Sequence, residues 1–425
     1  MDPTNPLRGA RRARTGTAAG VTAGLLVLSA LSSAGAADWP HWRGPQSNGI
    51  SSETGWLSRW GAGGPRKLWT AQVGEGYASV AVAAGRAYTV GNNNGQDTVY
   101  CLNADTGQVL WRQSYRCEAG NYGGPRATPW VDGNSVFTMS REAVAYCLNA
   151  QTGKVVWTRN LRQESRAQDP QWAFAGSPYA QGNSVFFNVG TAGIALNKAT
   201  GVPEWVSGSG RAGYASPVPY TVGGKRGLAF FGGSGLAGLD PETGKPQWQF
   251  RWSTSHDVNA ADPIFTGDSV FVSTGYNVGC ALVKLTGGAP RPVWQNKNMR
   301  NHFNSSVLVN GTLFGNDDGR LRALDLANGQ ERWSGTTLGK GGLIAADGKL
   351  ILLTERGELV IAEAKPDRYA ELARARVVST GDCWTQPALA NGRIYCRSHS
   401  GELVCVDVRG ASVGRAPRSP VKKSG

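Results

Sequence analysis

The sequence predicts an all-β ring of repeated four-stranded units, and three observations predict it. The line YCLNADTGQVLW, Tyr100–Trp111, returns as YCLNAQTGKVVW, Tyr146–Trp157, 46 residues later. Glycine (59) and tryptophan (15) are both abundant in the 425 residues, which calls for many tight turns and many large anchors. Apolar positions do not recur at helical spacing; short β-rich runs broken by Gly, Asn and Asp replace them.

The repeated line has a mechanical reading. An apolar strand ends at Asp or Asn, a turn follows with Thr-Gly or Asn-Gly, and a second strand leaves carrying a Trp. It recurs as ALNKATGVPEW, GLDPETGKPQW, LVKLTGGAPRPVW and ALDLANGQERW, after an earlier GGPRKLW. From Trp69 the spacings are 42, 46, 48, 43, 46 and 39 residues, and Leu372 fills the same slot 39 further on. Upstream of each line lies a second hairpin, such as PWVDGNSVFTM or PIFTGDSVFVS, with a two-residue Gly, Asn or Asp turn. Each unit is therefore four antiparallel strands, which matches a propeller blade in period. One such unit cannot bury both faces, but a closed ring of them can.

Eight upstream hairpins give eight blades over residues 65–408, with seven as the fallback count. The last unit, QPALANGRIYCRSHSGELVCVD, lacks its Trp strand, and the first Trp strand, RKLWTAQV, lacks three strands before it. The N-terminal strand is thus expected to complete the last blade. Residues 38–64, opening DWPHWRGPQSNG, are expected to pack outside the ring.

The two ends read differently. Residues 1–37 are basic, then apolar and small, ending in Ala-Gly-Ala-Ala, the layout of a secretory signal peptide cleaved near Ala36 or Ala37. Arg11-Arg12 leaves the twin-arginine and general routes both open. No Cys stands at the cleavage site for a lipid anchor, and no later segment could span a bilayer. The mature chain is expected to be exported, periplasmic or envelope-associated, and monomeric. Of the formal charge of +14, about +11 belongs to residues 38–425. The tail 409–425 adds five positives and no negatives, and reads as disordered. No aromatic-plus-basic nucleic-acid module is visible. Seven cysteines, an odd number, leave at least one unpaired within the chain. A two-residue turn at Ser400-Gly401 would set Cys396 opposite Cys405, at a spacing a disulfide accepts.

With these lines in place, the Ala/Leu-Asp/Asn-x-x-Thr-Gly-x-x-x-Trp repeat resembles the tryptophan-docking motif of quinoprotein (PQQ-type) β-propellers. The lead and the blade entries are similar to BamB-like, PQQ-binding-like exported propellers. The resemblance covers nearly all of the mature chain. It implies that Trp111, Trp157, Trp205, Trp248, Trp294 and Trp333 are structural, each docking on the Gly turn of a neighbouring blade.

Loops entering the innermost strands form one mouth of a propeller channel. Here they read GEGYAS, YGGPRATP, WAFAGSP, RAGYASP, HDVNAADP, RNHFNSS, GKGG and DCWTQP. They concentrate polar and aromatic groups, as ligand sites do. The candidate binding residues are Tyr77, Arg126, Tyr214, His256, Asp257, Asn259, Arg300, Asn301, His302, Asn304, Lys340 and Trp384. The alternative is that these groups satisfy backbone at irregular strand entries.

The resemblance also raises a PQQ- and Ca²⁺-dependent dehydrogenase as an alternative. That family's Cys-Cys pair is missing, and the entry loops offer only Glu75, Asp257, Asp262 and Asp382 as carboxylates. Asp257 beside His256 is the best base candidate, with Asn259 as a cation ligand. Four histidines at 41, 256, 302 and 399 do not make a zinc motif, and neither a nucleophile elbow nor a P-loop occurs. The expectation is a non-catalytic interaction scaffold or binding module in the envelope, without cofactor or metal. Its partner would be an envelope protein, with a small molecule or glycan in the funnel as the other alternative.

Overall fold

The computed structural model describes residues 37–410; the leader up to 36 and the basic tail from 411 lie outside the described residues. Eight antiparallel blades form a ring, so the eight-blade count holds over seven. Blade 1 comprises Ala81–Ala83, Arg86–Asn93, Gln96–Asn103 and Val109–Arg116, from channel to rim. Blades 2 to 6 repeat this order, opening at Trp130, Tyr179, Val218, Ile264 and Val307. Blade 7 opens with Gly342–Ala346, and blade 8 with Ala388–Ala390. The outermost strand of blade 8 is Arg66–Gln72, paired antiparallel with Glu402–Asp407. The N-terminal strand closes the ring, as its missing partners predict.

The repeated turn forms because its side chains cap its own backbone. Asn149 Oδ1 accepts from the N–H groups of Gln151 (3.0 Å) and Thr152 (2.9 Å). Thr152 Oγ1 accepts from Lys154 N–H, and Gly153 takes φ +72°. A register shift follows, between Val155 and Trp157. The Trp then reaches the same turn of the next blade. Trp111 Nε1 donates to Ala150 O at 2.9 Å, and its ring covers Gly153, where a Cβ would lie 2.5 Å away. Trp157 does the same at Lys198 O and Gly201, Trp205 at Pro241 O and Gly244, and Trp294 at Leu326 O and Gly329. Trp333 donates to Lys365 O, and Trp69, at the closure, to Ala104 O. Trp248 departs from the pattern: its Nε1 finds no partner among the described residues. In the turn ahead of it Lys284 stands where five of the six others have Asn or Asp, and Gly287-Gly288 lengthens the loop.

The closure has a second fastening. Arg397, in blade 8, is 1% exposed. Its guanidinium donates to Ala78 O, Thr89 Oγ1, Val90 O and Gly74 O, all in or before blade 1, at 2.7–3.0 Å.

Two expectations are corrected. Cys396 sits opposite Val404, and Cys405 opposite Tyr395. The turn is longer than two residues, with Ser398 N–H bonded to Glu402 O, so the two thiols leave opposite faces of the sheet. All seven cysteines are buried and free, and the 396–405 disulfide does not form. The first part of the lead does not stay outside the ring but enters the channel, while Gly55 and Leu57 further on bond Asp347 and Val408 O of blades 7 and 8. Trp39 pairs with Val82 and Pro40 O accepts from Val131 N–H, on the free inner edges of blades 1 and 2. Ile50–Ser51 adds a parallel strand inside Gly342–Ala346 of blade 7. The reason is chemical: the lead carries Trp39, His41 and Arg43, whose apolar surface and donors the channel wall can bury and pair.

Candidate functional site

Above the lead, the channel opens into a cavity of about 270 Å³. Trp42 is part of its lining and is carried by the lead, so the chain closes the lower end of its own funnel. The walls come from loops on one face. Entry loops supply Tyr77, Tyr122, Trp172, Tyr214, Phe303 and Trp384; the hairpin between the second and third strands of blade 5 supplies Tyr276. His302, Phe303, Trp384, Tyr77 and His399 stack in series, with successive centroids 3.9, 5.2, 5.3 and 4.5 Å apart. Across the mouth, Trp172 meets Tyr214 and Tyr276, each at 6.4 Å, and Tyr276 meets His302 edge-on at 4.9 Å. Flat apolar faces therefore surround the space.

Two cations stand among these rings. Arg126 donates to Trp172 O (2.6 Å) and Tyr122 O (3.1 Å) and lies 5.9 Å from the Tyr77 centroid. Burial, with Arg141 nearby, lowers its pKa to about 10. Lys340 Nζ is 4.9 Å from the Phe303 centroid and 5.6 Å from that of Trp384. It also lies 2.9 Å from His302 Nδ1. An ammonium only donates, so Nδ1 accepts and the ring proton sits on Nε2, which has no partner among the described residues. Burial first, and then the Lys340 charge, hold the His302 pKa at about 4, so the imidazole is neutral at pH 7. Among the described residues neither Arg126 nor Lys340 forms an ion pair with a carboxylate.

Below the aromatic wall runs a belt of short polar side chains. Each takes the backbone N–H of its counterpart in the preceding blade. Ser79 N–H donates to Thr128 Oγ1, Thr128 N–H to Ser177 Oγ, Ser177 N–H to Ser216 Oγ, Ser216 N–H to Asp262 Oδ1, and Asp262 N–H to Ser305 Oγ, all within 2.8–3.0 Å. Asp262 is the carboxylate of this belt. Its other oxygen accepts from Trp42 Nε1 at 2.7 Å and lies 3.7 Å from Arg43 Nε. Burial raises its pKa, against the pull of Arg43 and the two N–H donors.

Seven of the twelve candidate residues line the cavity: Tyr77, Arg126, Tyr214, His302, Asn304, Lys340 and Trp384. The other five lie elsewhere. His256 is exposed, edge-on to Trp172 at 5.5 Å. Asp257, its neighbour, is tied to Arg211 at 2.8 Å. Asn259 is fully buried and donates to Gly232 O and Trp252 O. Arg300 is held by Asp317 through two bonds of 2.8 and 2.9 Å. Asn301 bonds Asn316 O and Ser306 Oγ. Asp257, Asn259, Arg300 and Asn301 satisfy irregular backbone or neighbouring charges, the alternative weighed for such loops, while His256 stays edge-on to Trp172 and Tyr276. Sequence reasoning passed over Tyr122, Trp172 and Phe303 in loops it had marked, and Tyr276 in a hairpin it had not. Trp42 and the belt were also missed. The belt's signal is a Ser, Thr or Asp before Pro at 128, 177, 216 and 262. The signal for Trp42 is the paired Trp of the lead.

The groups named as candidates for a quinone and its cation are engaged within the chain. Asp262 has both oxygens committed, Asp257 points to Arg211, and Asn259 is spent on backbone. No group of three or more His, Cys, Asp or Glu able to hold a metal occurs among the described residues.

The comparisons agree with the ring. A family model described as outer membrane protein assembly factor BamB matches residues 53–125 and 96–335, well over half of the chain. No curated protein matches the sequence. The solved structure of BamB from Moraxella catarrhalis is similar at 16% identity, covering 80% of this chain and 97% of that one, with a TM-score of 0.59. A quinohemoprotein alcohol dehydrogenase from Pseudomonas putida HK5 shares 12% identity over 90% of this chain and 82% of its own, with a TM-score of 0.65. A europium-containing methanol dehydrogenase shares 12% over 87% and 89%, with a TM-score of 0.63. At such identities the likeness to solved structures concerns the fold.

Proposed function

Because the chain belongs to the family of the outer membrane protein assembly factor BamB, whose blade plan it shares with dehydrogenases, we propose that it is a non-catalytic binding module of the cell envelope with the funnel as its binding face. The ligand is a small molecule with a flat ring face and an acidic group, such as a uronic-acid sugar or an aromatic carboxylate. One observation carries this reading: an aromatic-walled cavity holds two cations, Arg126 and Lys340, without a carboxylate partner. Burying a charge among rings costs free energy that an arriving anion recovers, while the rings cover its flat face. Export fits the basic-then-apolar leader, and no helix among the described residues is long and apolar enough to cross a membrane.

The dehydrogenase reading would need a free base and a cation site, and its named candidates Asp257, Asn259 and Asp262 are engaged within the chain. The test is a titration of the exported chain with glucuronate, benzoate and their neutral counterparts, read by tryptophan fluorescence and calorimetry. Saturable binding of an acid, at least about tenfold tighter than its neutral partner and lost in Arg126→Gln, is the expected result. Indifference to charge and to Arg126→Gln would sink the reading. Dye reduction with PQQ, Ca²⁺ and an alcohol would replace it with the catalytic one.

A protein scaffold is the second reading, carried by a different surface. Val109, Leu110, Val155, Val156, Val202 and Val206 expose 40–56% of their area on or beside the outer strands of blades 1 to 3. Leu110→Lys with Val156→Lys should abolish partner binding there and leave funnel binding intact.

A further inference from the structure

The lead sits in the channel as a ligand sits in a receptor. It is closed on itself first. Gly44 N–H bonds His41 O, Ser47 N–H bonds Gly44 O, and Gly49 N–H bonds Arg43 O, at 2.8–3.0 Å. Arg43 and Ser47 take φ of 62° and 51°, and the Trp39 ring covers Gly44, where a Cβ would lie 2.5 Å away. The result is a compact hook with Trp42 and Arg43 near its bend.

The ring grips this hook at separate points. Val82, Val131 and Ala345 N–H donate to Trp39, Pro40 and Gly49 carbonyls at 2.7–2.9 Å. Arg43 Nη2 donates to Ser306 O at 2.9 Å. Glu53 receives the Asn391 and Gly392 N–H groups of blade 8. Asp262, the carboxylate in a belt otherwise built from hydroxyls at five of its six linked positions, takes the Trp42 N–H and faces Arg43. His41 stacks on Trp130 with centroids 3.4 Å apart. The ring is closed by Arg66–Gln72, paired with Glu402–Asp407, and fastened again by Arg397, neither of which belongs to the hook. Between hook and closing strand, Gly61, Ala62 and Gly63 are exposed, and a Cβ on either glycine would meet nothing within 4 Å.

We infer that the central channel is a peptide-binding site for a Trp-Pro-x-Trp-Arg-Gly hook, occupied here in cis by the chain's own lead and able to take the same segment from a second copy. The tether holds the cis copy at millimolar effective concentration, so exchange is visible once the tether is cut. The hook also supplies Trp42, so occupancy of the channel finishes the funnel above it.

The experiment places a protease site at Gly61–Gly64 of the full chain, cuts it after folding, and adds a fluorescent peptide of residues 37–53. The expected result is one-to-one, saturable uptake by a ring that keeps its β signal, with release of the cut lead. Peptides carrying Trp42→Ala or Arg43→Ala should bind at least about tenfold more weakly, and they leave the ring's own folding untouched. Three results would each overturn the inference: a cut lead that stays until the ring unfolds, a ring that unfolds as the lead departs, or uptake indifferent to both peptide substitutions.

Discussion

Replacing Asp262 by Asn tests the grip on the lead most directly. The carboxylate accepts from Ser216 N–H and Trp42 Nε1–H, and it is the partner of Arg43, which is 1% exposed. Asparagine keeps one acceptor and turns an NH₂ toward a donor. It also leaves the Arg43 guanidinium buried without its counter-charge. Breaking one side of a buried pair costs about 3–5 kcal/mol. The raised pKa of Asp262 and the lowered one of Arg43 both follow chiefly from burial, so the pair itself adds little net stability. The loss should therefore be large for the single change and partly recovered in Asp262→Asn with Arg43→Met. The readout is hydrogen exchange at Val82, Val131 and Ala345, whose N–H groups bond the lead. Their exchange should quicken by roughly 10²–10³-fold, at about 1.4 kcal/mol per decade. Exchange within about threefold of the parent would refute the argument that Asp262 locks the lead.

Other outcomes follow from the same geometry. Burial holds both His41 and His302 at about pKa 4, below the ordinary 6.5, so between those values the folded chain holds fewer protons than the unfolded one. The two histidines should each lower stability as pH drops from about 6.5 toward 4, offset in part by Asp97, whose burial raises its pKa to about 6; denaturant titrations at pH 7, 5.5 and 4.5 on the parent and on His41→Phe check this. His41→Phe, which keeps the stack on Trp130, should remove up to about 3 kcal/mol of that slope. Trp157→Phe loses the bond to Lys198 O and should cost about 1 kcal/mol more than Trp248→Phe, whose Nε1 has no partner to lose; urea midpoints decide. Arg397→Gln strands four acceptors at the seam between blades 8 and 1 and should cost about 3 kcal/mol or more, with early proteolysis near the closing strand.

The blades were legible because each repeats a local code. Asn149, Thr152 and Gly153 dictate their turn without help from the rest of the chain, and Trp157 follows at fixed spacing. Closure was legible from arithmetic, a blade short of one strand at each end. The lead was not, because its partners are distant: nothing near Trp42 in sequence points to Asp262, 220 residues away. The site was half legible for a related reason. Entry loops show which residues gather at the mouth, yet Asn259 and Asn301 turn toward backbone while Tyr77 and Trp384 turn toward the cavity. That choice depends on which carbonyls the strand entries leave unpaired, which the alphabet of the loop does not record. The hairpin expected to join Cys396 to Cys405 failed by one residue of register, enough to send the thiols to opposite faces.

The ring's clasp has a consequence in time. Arg66 and Asp407, paired across it, are 341 residues apart in the chain. The first half of the latch is made early and must wait for the last strand of the last blade. Until then, blades 1 to 7 form an open array with a bare sheet edge at one end and an unmatched strand at the other. Bare edges invite pairing with foreign chains. A chain that stops short of Glu402 cannot latch at all, whatever the quality of its other blades. Closure of the fold thus waits on Glu402–Asp407, the last strand of the last blade.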